Sequence, residues 1–158
     1  MNKTLITIVT AVLLLLTSAQ YVTPSDARVG FHAPDLMLNS DSTSISLQDL
    51  KGKYVVVTFW SSEQPVTRID NARFSAALGH RNDIEYIAVN MDRSQGLFEQ
   101  LITVDMLDAH SQFYIEHDAQ QKVIQQWRQQ PDKFSSFLID PQGFIVKANL
   151  NINDLAQL

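Results

Sequence analysis

The chain has 158 residues, of which 45% are hydrophobic and 18% are charged, and this composition fits one globular domain with a hydrophobic core. Its formal net charge is −5 and its basic residues are scattered along the sequence, which argues against nucleic-acid binding. The sequence contains no cysteine, so disulfide bonds, thiolate-bound zinc and iron–sulfur clusters are excluded.

Residues 1–19 have the pattern of a signal peptide. Lys3 supplies a positive charge, an apolar run extends from Leu5 to Leu16, and small residues precede a cleavage site after Ala19. The apolar run is shorter than the ~20 residues that a membrane-spanning helix needs. We therefore expect a cleaved signal peptide, a periplasmic or secreted protein and no stable membrane span after cleavage. An uncleaved anchor is the alternative, and lipidation is excluded because it would require a cysteine.

The elements before the first long strand are short. Residues 20–28 are polar and predict a flexible lead-in, and residues 29–38 predict extended chain that enters the domain. Residues 44–47 alternate between polar and apolar side chains, which indicates a short strand. Residues 47–53 then predict a helical turn that Gly52 closes.

Two buried strands and a helix form the centre of the predicted domain. Residues 54–59 and 84–89 are nearly continuous apolar runs, which indicate strands buried on both faces, as in a parallel sheet. Between them, Pro65 suits the first position of a helix, and the helical pattern stops at Gly79.

Further helices are predicted for residues 95–103 and 119–130, with Trp127 facing inward. Residues 113–115 indicate a short strand or an insert that faces the core.

The C-terminal part predicts a hairpin. Residues 136–139 and 144–148 are strands, and residues 140–143 have good turn chemistry. Residues 151–158 are a short tail that could start a final helix. Strands that alternate with helices and end in a hairpin predict an α/β sandwich with a mixed sheet.

Four segments that follow one another along the chain carry a recognisable pattern: Val29–Leu36, Leu47–Lys53 with the following strand, Phe59–Trp60 and Ser136–Gly143. Together they resemble the extracytoplasmic thioredoxin-like family, in its TlpA/ResA-type branch of membrane-side oxidoreductases. The resemblance implies a thioredoxin-like three-layer sandwich, with a mixed central sheet flanked by helices, as one domain over residues 29–158.

The resemblance also implies that the active site of this family is degenerate here. Gln64 and Thr67 stand at the positions of the two cysteines in the family's C-x-x-C motif. Thiol–disulfide exchange requires a thiolate nucleophile, which neither an amide nor a hydroxyl can supply. The chain is therefore predicted to lack the family's reaction.

Three more positions depart from the family. Glu63 replaces a tryptophan, Thr58 stands near the position of a buried acid, and Phe134 aligns with the cis-proline that faces the cysteines. Trp60 and Arg68 are retained. Phe134 either fills the groove that the proline leaves or is exposed as an anchor, and the sequence does not decide between these alternatives.

The turn at residues 61–67 leads into a helix N-terminus, where unpaired N–H groups and a partial positive charge favour binding of an anion or a peptide. Its candidate binding residues are Trp60, Glu63, Gln64, Thr67, Arg68 and Phe134. We expect a turn that only the fold requires, with a residual binding groove as the alternative. A nucleophilic serine is disfavoured, since no histidine lies nearby in the chain and no G-x-S-x-G motif is present.

The segment Asp105–Asp118 mixes histidines and carboxylates, which are ligands for zinc and other divalent ions. His110 and His117 would lie two turns apart on a helix, but the intervening strand-like residues make that geometry doubtful. We expect a solvated acidic loop, with no metal and no cofactor.

The predicted function is that of a redox-inactive binding or interaction module of the bacterial envelope, with a protein or peptide partner. Two alternatives remain open from the sequence. One is an enzyme or metal-binding protein that uses the Asp105–Asp118 segment, and the other is a structural subunit of an envelope complex.

Overall fold

The computed structural model describes residues 27–39, 44–130 and 132–157. The predicted signal peptide, its cleavage site after Ala19 and most of the predicted lead-in lie outside these residues. None of the helices in the described part of the chain is long and apolar enough to cross a membrane.

Seven strands in the described residues form two sheets. The smaller sheet is an antiparallel hairpin of β1 (Met37–Asn39) and β2 (Ser44–Ser46). The larger sheet contains, in spatial order, β5 (Gln112–Tyr114), β4 (Ile84–Asn90), β3 (Tyr54–Trp60), β6 (Ser136–Ile139) and β7 (Ile145–Ala148). Strand β3 pairs in parallel with β4 and antiparallel with β6, so the sheet is mixed, as predicted.

Three α-helices flank this sheet: α1 (Pro65–Leu78), α2 (Gln95–Val104) and α3 (His117–Gln126). Short 3-10 helices occupy Leu47–Leu50, Ala109–Ser111 and Ile152–Gln157. The C-terminal tail thus forms a 3-10 helix, and α3 ends four residues earlier than the sequence pattern predicts. The early end has a local cause, because Arg128 adopts a positive φ of 51°, which a right-handed helix does not allow.

The central strand β3 explains why its apolar run is continuous. Val57 and Phe59 point into the core beneath α3 and the N-terminal hairpin, and Val56 and Trp60 point into the core beneath α1 and α2. Each fully buried apolar side chain stabilises the fold by roughly 1.5–3 kcal/mol. Two cores, one on each face of a mixed sheet, establish the predicted three-layer α/β sandwich.

Candidate functional site

The carboxyl ends of β3 and β4 define the candidate site. These two parallel strands end side by side at Trp60 and Asn90. The loop that follows β3 leads directly into α1, whose first residue is Pro65, as predicted. In α/β sheets this edge is the usual position of binding and catalytic groups.

Asp92 is the centre of a buried hydrogen-bond network in this loop region. Its side chain is 4% exposed, and Ser61 Oγ donates to its Oδ1 at 2.5 Å. The Ser62 backbone N–H donates to the same carboxylate at 2.9 and 3.1 Å, and Asn90 Nδ2 donates at 3.0 Å. A buried carboxylate requires such donors. The network therefore fixes the loop after β3: Ser61 both donates to Asp92 and accepts from the Glu63 N–H, and Ser62 donates to Asp92 through its N–H and its hydroxyl.

Gln64 links the first nucleophile position to the position of the family's cis-proline. The Phe134 backbone N–H donates to Gln64 Oε1 at 3.1 Å, across seventy residues of sequence. A proline at position 134 would have no N–H to donate. The two positions are therefore physically coupled, since the Phe134 N–H is satisfied by the side chain at the position predicted for the first cysteine.

Phe134 is half-buried and packs against the core beneath α3. The Gln64 side chain reaches from the loop after β3 to the backbone just before β6. We therefore expect Phe134 to fill the groove rather than to stand exposed as an anchor.

Thr67 stabilises the start of α1. Its hydroxyl donates to the Gln64 carbonyl at 2.9 Å and accepts from the Ser61 N–H at 3.3 Å. Gln64 stands at the helix cap position without a side-chain capping bond, as its residue type predicts. Thr67, at the position predicted for the second cysteine, therefore supports the local backbone structure.

Thr58, near the position predicted for the family's buried acid, belongs to a chain of uncharged polar side chains. Its Oγ1 lies 2.9 Å from the Tyr86 hydroxyl, which donates to Asn71 Oδ1 at 2.7 Å. Asn71 in turn exchanges hydrogen bonds with Gln112. Threonine, asparagine and glutamine side chains carry no charge, and burial raises the pKa of Tyr86 still further above neutral pH, so this chain of polar groups is uncharged.

Arg68 forms a bidentate ion pair with Asp105, the residue that follows α2. The two N–O distances are 2.6 and 2.7 Å, and the side chains are 33% and 17% exposed. The hydrogen-bonded carboxylate raises the pKa of Arg68, and the guanidinium lowers the pKa of Asp105. Fork-shaped pairs of this kind are the strongest ion pairs available to an arginine. The retained arginine thus ties α1 to the end of α2.

A shallow groove of about 430 Å³ runs beside this ion pair, lined by Ser62, Pro65, Arg68, Ile69, Ala72 and Asp105. Large apolar side chains are exposed on and next to its two helices: Val66 (70%), Ile69 (51%), Val104 (68%) and Met106 (90%). Met106 has a positive φ of 51°, which is unusual for a side chain of this size. We call this region the helix face.

Trp60 and Glu63, which were also predicted as binding residues, do not line the groove. Trp60 is fully buried and packs near Phe98, so its indole is part of the core. Glu63 lies in the loop, where its N–H donates to Ser61 Oγ.

The Asp105–Asp118 segment has no metal-binding arrangement. Asp105 is engaged by Arg68, and Asp108 accepts from the His110 backbone N–H at 3.0 Å. His117 begins α3, after a strand that separates it from His110. Over residues 27–39, 44–130 and 132–157, no three histidine or carboxylate side chains gather as a metal site would require.

Comparison with known proteins agrees with this geometry. The chain belongs to the AhpC/TSA family, whose sequence pattern it matches over residues 29–153. Its fold is similar to a thioredoxin-like protein from Parabacteroides distasonis, with a TM-score of 0.70 at 20% identity, covering 84% of this chain and 94% of that one. No curated protein matches the sequence.

Two further solved structures are thiol–disulfide proteins by their descriptions. One is the thioredoxin domain of a thiol-disulfide oxidoreductase from Bacteroides vulgatus, with a TM-score of 0.71, 24% identity and coverage of 84% and 95%. The other is a thiol:disulfide interchange protein from a Bacteroides species, with a TM-score of 0.68, 26% identity and coverage of 84% and 88%. This chain shares their fold and has no cysteine with which to perform such a reaction.

Two site residues did not follow from the sequence: Asp92 as the partner of the loop after β3, and Asp105 as the partner of Arg68. The signal available for Asp92 was its place two residues after a buried parallel strand, where polar side chains meet those of the neighbouring strand. Asp105 has no comparable signal, because its partner Arg68 lies 37 residues away in the chain.

Proposed function

We propose that this protein is a redox-inactive thioredoxin-fold module of the bacterial envelope that binds a protein or peptide partner. One observation carries the proposal: the side chains at both nucleophile positions are engaged in structural hydrogen bonds. Gln64 accepts from Phe134, and Thr67 bridges the first turn of α1. Neither group can form a mixed disulfide, which is the intermediate of thiol exchange.

The helix face supports a binding role. Val66, Ile69 and Met106 are at least half exposed, and they border a groove next to the end of the sheet where the family's active site lies. Exposed apolar side chains that cluster around a groove are typical of protein-binding surfaces. Because Arg68 and Asp105 neutralise each other in this groove, the apolar contacts would supply the binding free energy.

An envelope location is supported by the N-terminal sequence. Residues 1–19 combine a positive start, an apolar run and a small-residue cleavage site, which together direct export.

The redox part of the proposal is tested by restoration. Wild-type protein should not accelerate the reduction of insulin by dithiothreitol, and the triple variant Gln64→Cys, Thr67→Cys, Phe134→Pro should accelerate it. The matched control carries serines in place of the two new cysteines and retains Phe134→Pro. Acceleration by the wild-type protein alone would overturn the proposal.

The binding part is tested by site-directed cross-linking in cells that produce the protein. Since the chain has no cysteine, Val66→Cys provides a unique attachment point for a photoreactive probe on the helix face. Ala77→Cys is the matched control, as it is exposed at the other end of the same helix. We expect a discrete cross-linked partner from position 66 and none from position 77. Equal products from both positions would contradict the assignment of this face.

A further inference from the structure

A second groove, of about 630 Å³, lies at the β5 edge of the larger sheet. Its floor is residues 112–116, which are β5 and the two residues that follow it. Strand β1 forms one wall and α2 forms the other. Cavities of roughly 300–1,000 Å³ are typical of ligand sites. We call this cavity the strand groove, and none of its lining residues lines the groove of the helix face.

Strand β5 leaves one of its edges open in the strand groove. It pairs in parallel with β4, and within residues 27–39, 44–130 and 132–157 no strand pairs with its other edge. The Gln112 backbone is extended, and its N–H donates to the Ala109 carbonyl instead of to β4. Because successive residues of a strand direct their backbone groups to alternate edges, the N–H and C=O of Tyr114 also face outward. The floor of the groove therefore offers backbone hydrogen-bonding groups to an added strand.

The walls of the strand groove are largely apolar and are held by the two cores. Leu38 and Ile115 belong to the core beneath α3 and the N-terminal hairpin, and Phe98 belongs to the core beneath α1 and α2. The rings of Phe98 and Tyr114 are in contact, with centroids 5.9 Å apart. Met37 extends from β1 and is 72% exposed. The groove is thus preformed, and Met37 adds an apolar contact at its rim.

The charged side chains that line the strand groove are carboxylates. Glu99 and Glu116 line it, and no described lysine or arginine does. Glu99 accepts one hydrogen bond, from Gln95 Nε2 at 3.0 Å, and Glu116 makes no side-chain bond to the start of α3.

The surrounding elements are acidic as well. Residues 94–121 include α2, β5 and the start of α3, and they contain neither lysine nor arginine. The carboxylates of this span are Glu99, Asp105, Asp108, Glu116 and Asp118. Asp105 pairs with Arg68, and the others form no ion pair within the described part of the chain. The groove therefore presents negative charge that no neighbouring cation neutralises.

We propose that the strand groove binds a basic, extended peptide segment of a partner protein, which adds to β5 as a further strand. The backbone of the peptide pairs with the N–H and C=O of Tyr114. Side chains of an added strand alternate between its two faces, so apolar ones contact Leu38 and Met37 while lysine or arginine lies near Glu99. Main-chain hydrogen bonds provide affinity in this mode of recognition, and alternate side chains provide specificity.

The charge of the groove determines which peptide it accepts. The carboxylates attract a basic peptide and repel an acidic one. This inference does not depend on the binding role proposed for the helix face, since the two grooves have no lining residue in common.

Fluorescence anisotropy of labelled hexapeptides added to the full chain tests the charge preference. A peptide of alternating valine and lysine should bind, and a peptide of alternating valine and glutamate should not. The double variant Glu99→Gln, Glu116→Gln should bind the basic peptide roughly three- to tenfold more weakly, as expected for the loss of two exposed ion pairs. The matched control Asp49→Asn, Asp70→Asn removes the same charge outside the groove and should leave the affinity within about twofold.

Backbone methylation of the basic peptide tests strand addition. One version is N-methylated at every valine and the other at every lysine, so each has lost the N–H donors of one edge. Only the version whose intact edge faces β5 should bind. Binding of the unmethylated peptide should also slow hydrogen exchange of the Tyr114 amide.

The opposite results would overturn the proposal. Equal affinities of the two methylated peptides would exclude strand addition, and equal losses in the groove variant and its control would show that binding follows net charge alone. Failure of the basic peptide to bind the wild-type chain would exclude a basic partner. A dimer of the chain that forms without peptide and dissociates on Met37→Asp would instead identify a second copy as the occupant.

Discussion

The hydrogen bond between Gln64 and Phe134 predicts a measurable coupling between two distant parts of the chain. The substitution Gln64→Ala removes the acceptor of the Phe134 N–H, which is 3.1 Å away in the wild-type protein. A fully buried donor left without an acceptor costs about 1–3 kcal/mol. Because Phe134 is only half-buried, water can replace part of the lost bond, and we expect a cost of about 1 kcal/mol.

Urea unfolding followed by tryptophan fluorescence measures this cost. With a slope of about 1–3 kcal/mol per molar urea, the midpoint should fall by roughly 0.3–1 M. The same substitution should speed hydrogen exchange of the Phe134 amide more than that of the neighbouring Ser135 amide, whose acceptor Gln129 is unchanged.

A double-mutant cycle separates the coupling from other effects of the alanine. In a Phe134→Pro background the donor is absent, so Gln64→Ala should cost less there than in the wild-type chain. Equal costs in both backgrounds, together with unchanged exchange at residue 134, would refute the coupling.

The remaining predictions concern the two carboxylates. The substitution Asp92→Asn places an amide N–H₂ group among donors, because Asn90 and the Ser62 N–H both donate to the Asp92 carboxylate. It should lower the free energy of unfolding by about 2 kcal/mol in urea titrations. An unchanged midpoint would contradict the network. Arg68 lowers the pKa of Asp105 in the folded state. The ion pair therefore stabilises the fold fully above the unfolded-state pKa of about 4, and this stabilisation is lost as the pH falls through the lower folded-state pKa. Asp105→Asn should therefore cost up to about 1 kcal/mol at neutral pH, after allowance for solvent screening, and progressively less in acid; a pH-independent cost would contradict the assignment.

The agreement between the predicted and observed strands has a physical basis. The runs at 54–59 and 84–89 are apolar on both faces, and only a strand between two layers buries such a run, so the positions of β3 and β4 followed from local pattern. The start of α1 at Pro65 was predictable for a similar reason, because proline tolerates few other helical positions. Element ends were less predictable: α3 stops at Gln126 where backbone geometry, rather than composition, ends it.

The sequence by itself determined that this chain has a thioredoxin-like fold and no thiol to act in it, since both conclusions depend on residue type and order along the chain. Only the tertiary structure decided what replaced the thiols. The bonds from Gln64 to Phe134, from the serine loop to Asp92 and from Arg68 to Asp105 each join residues about thirty or more positions apart. Such bonds depend on the direction of side chains across packed loops, and direction is set by the packing of the sheet and helices rather than by any local pattern.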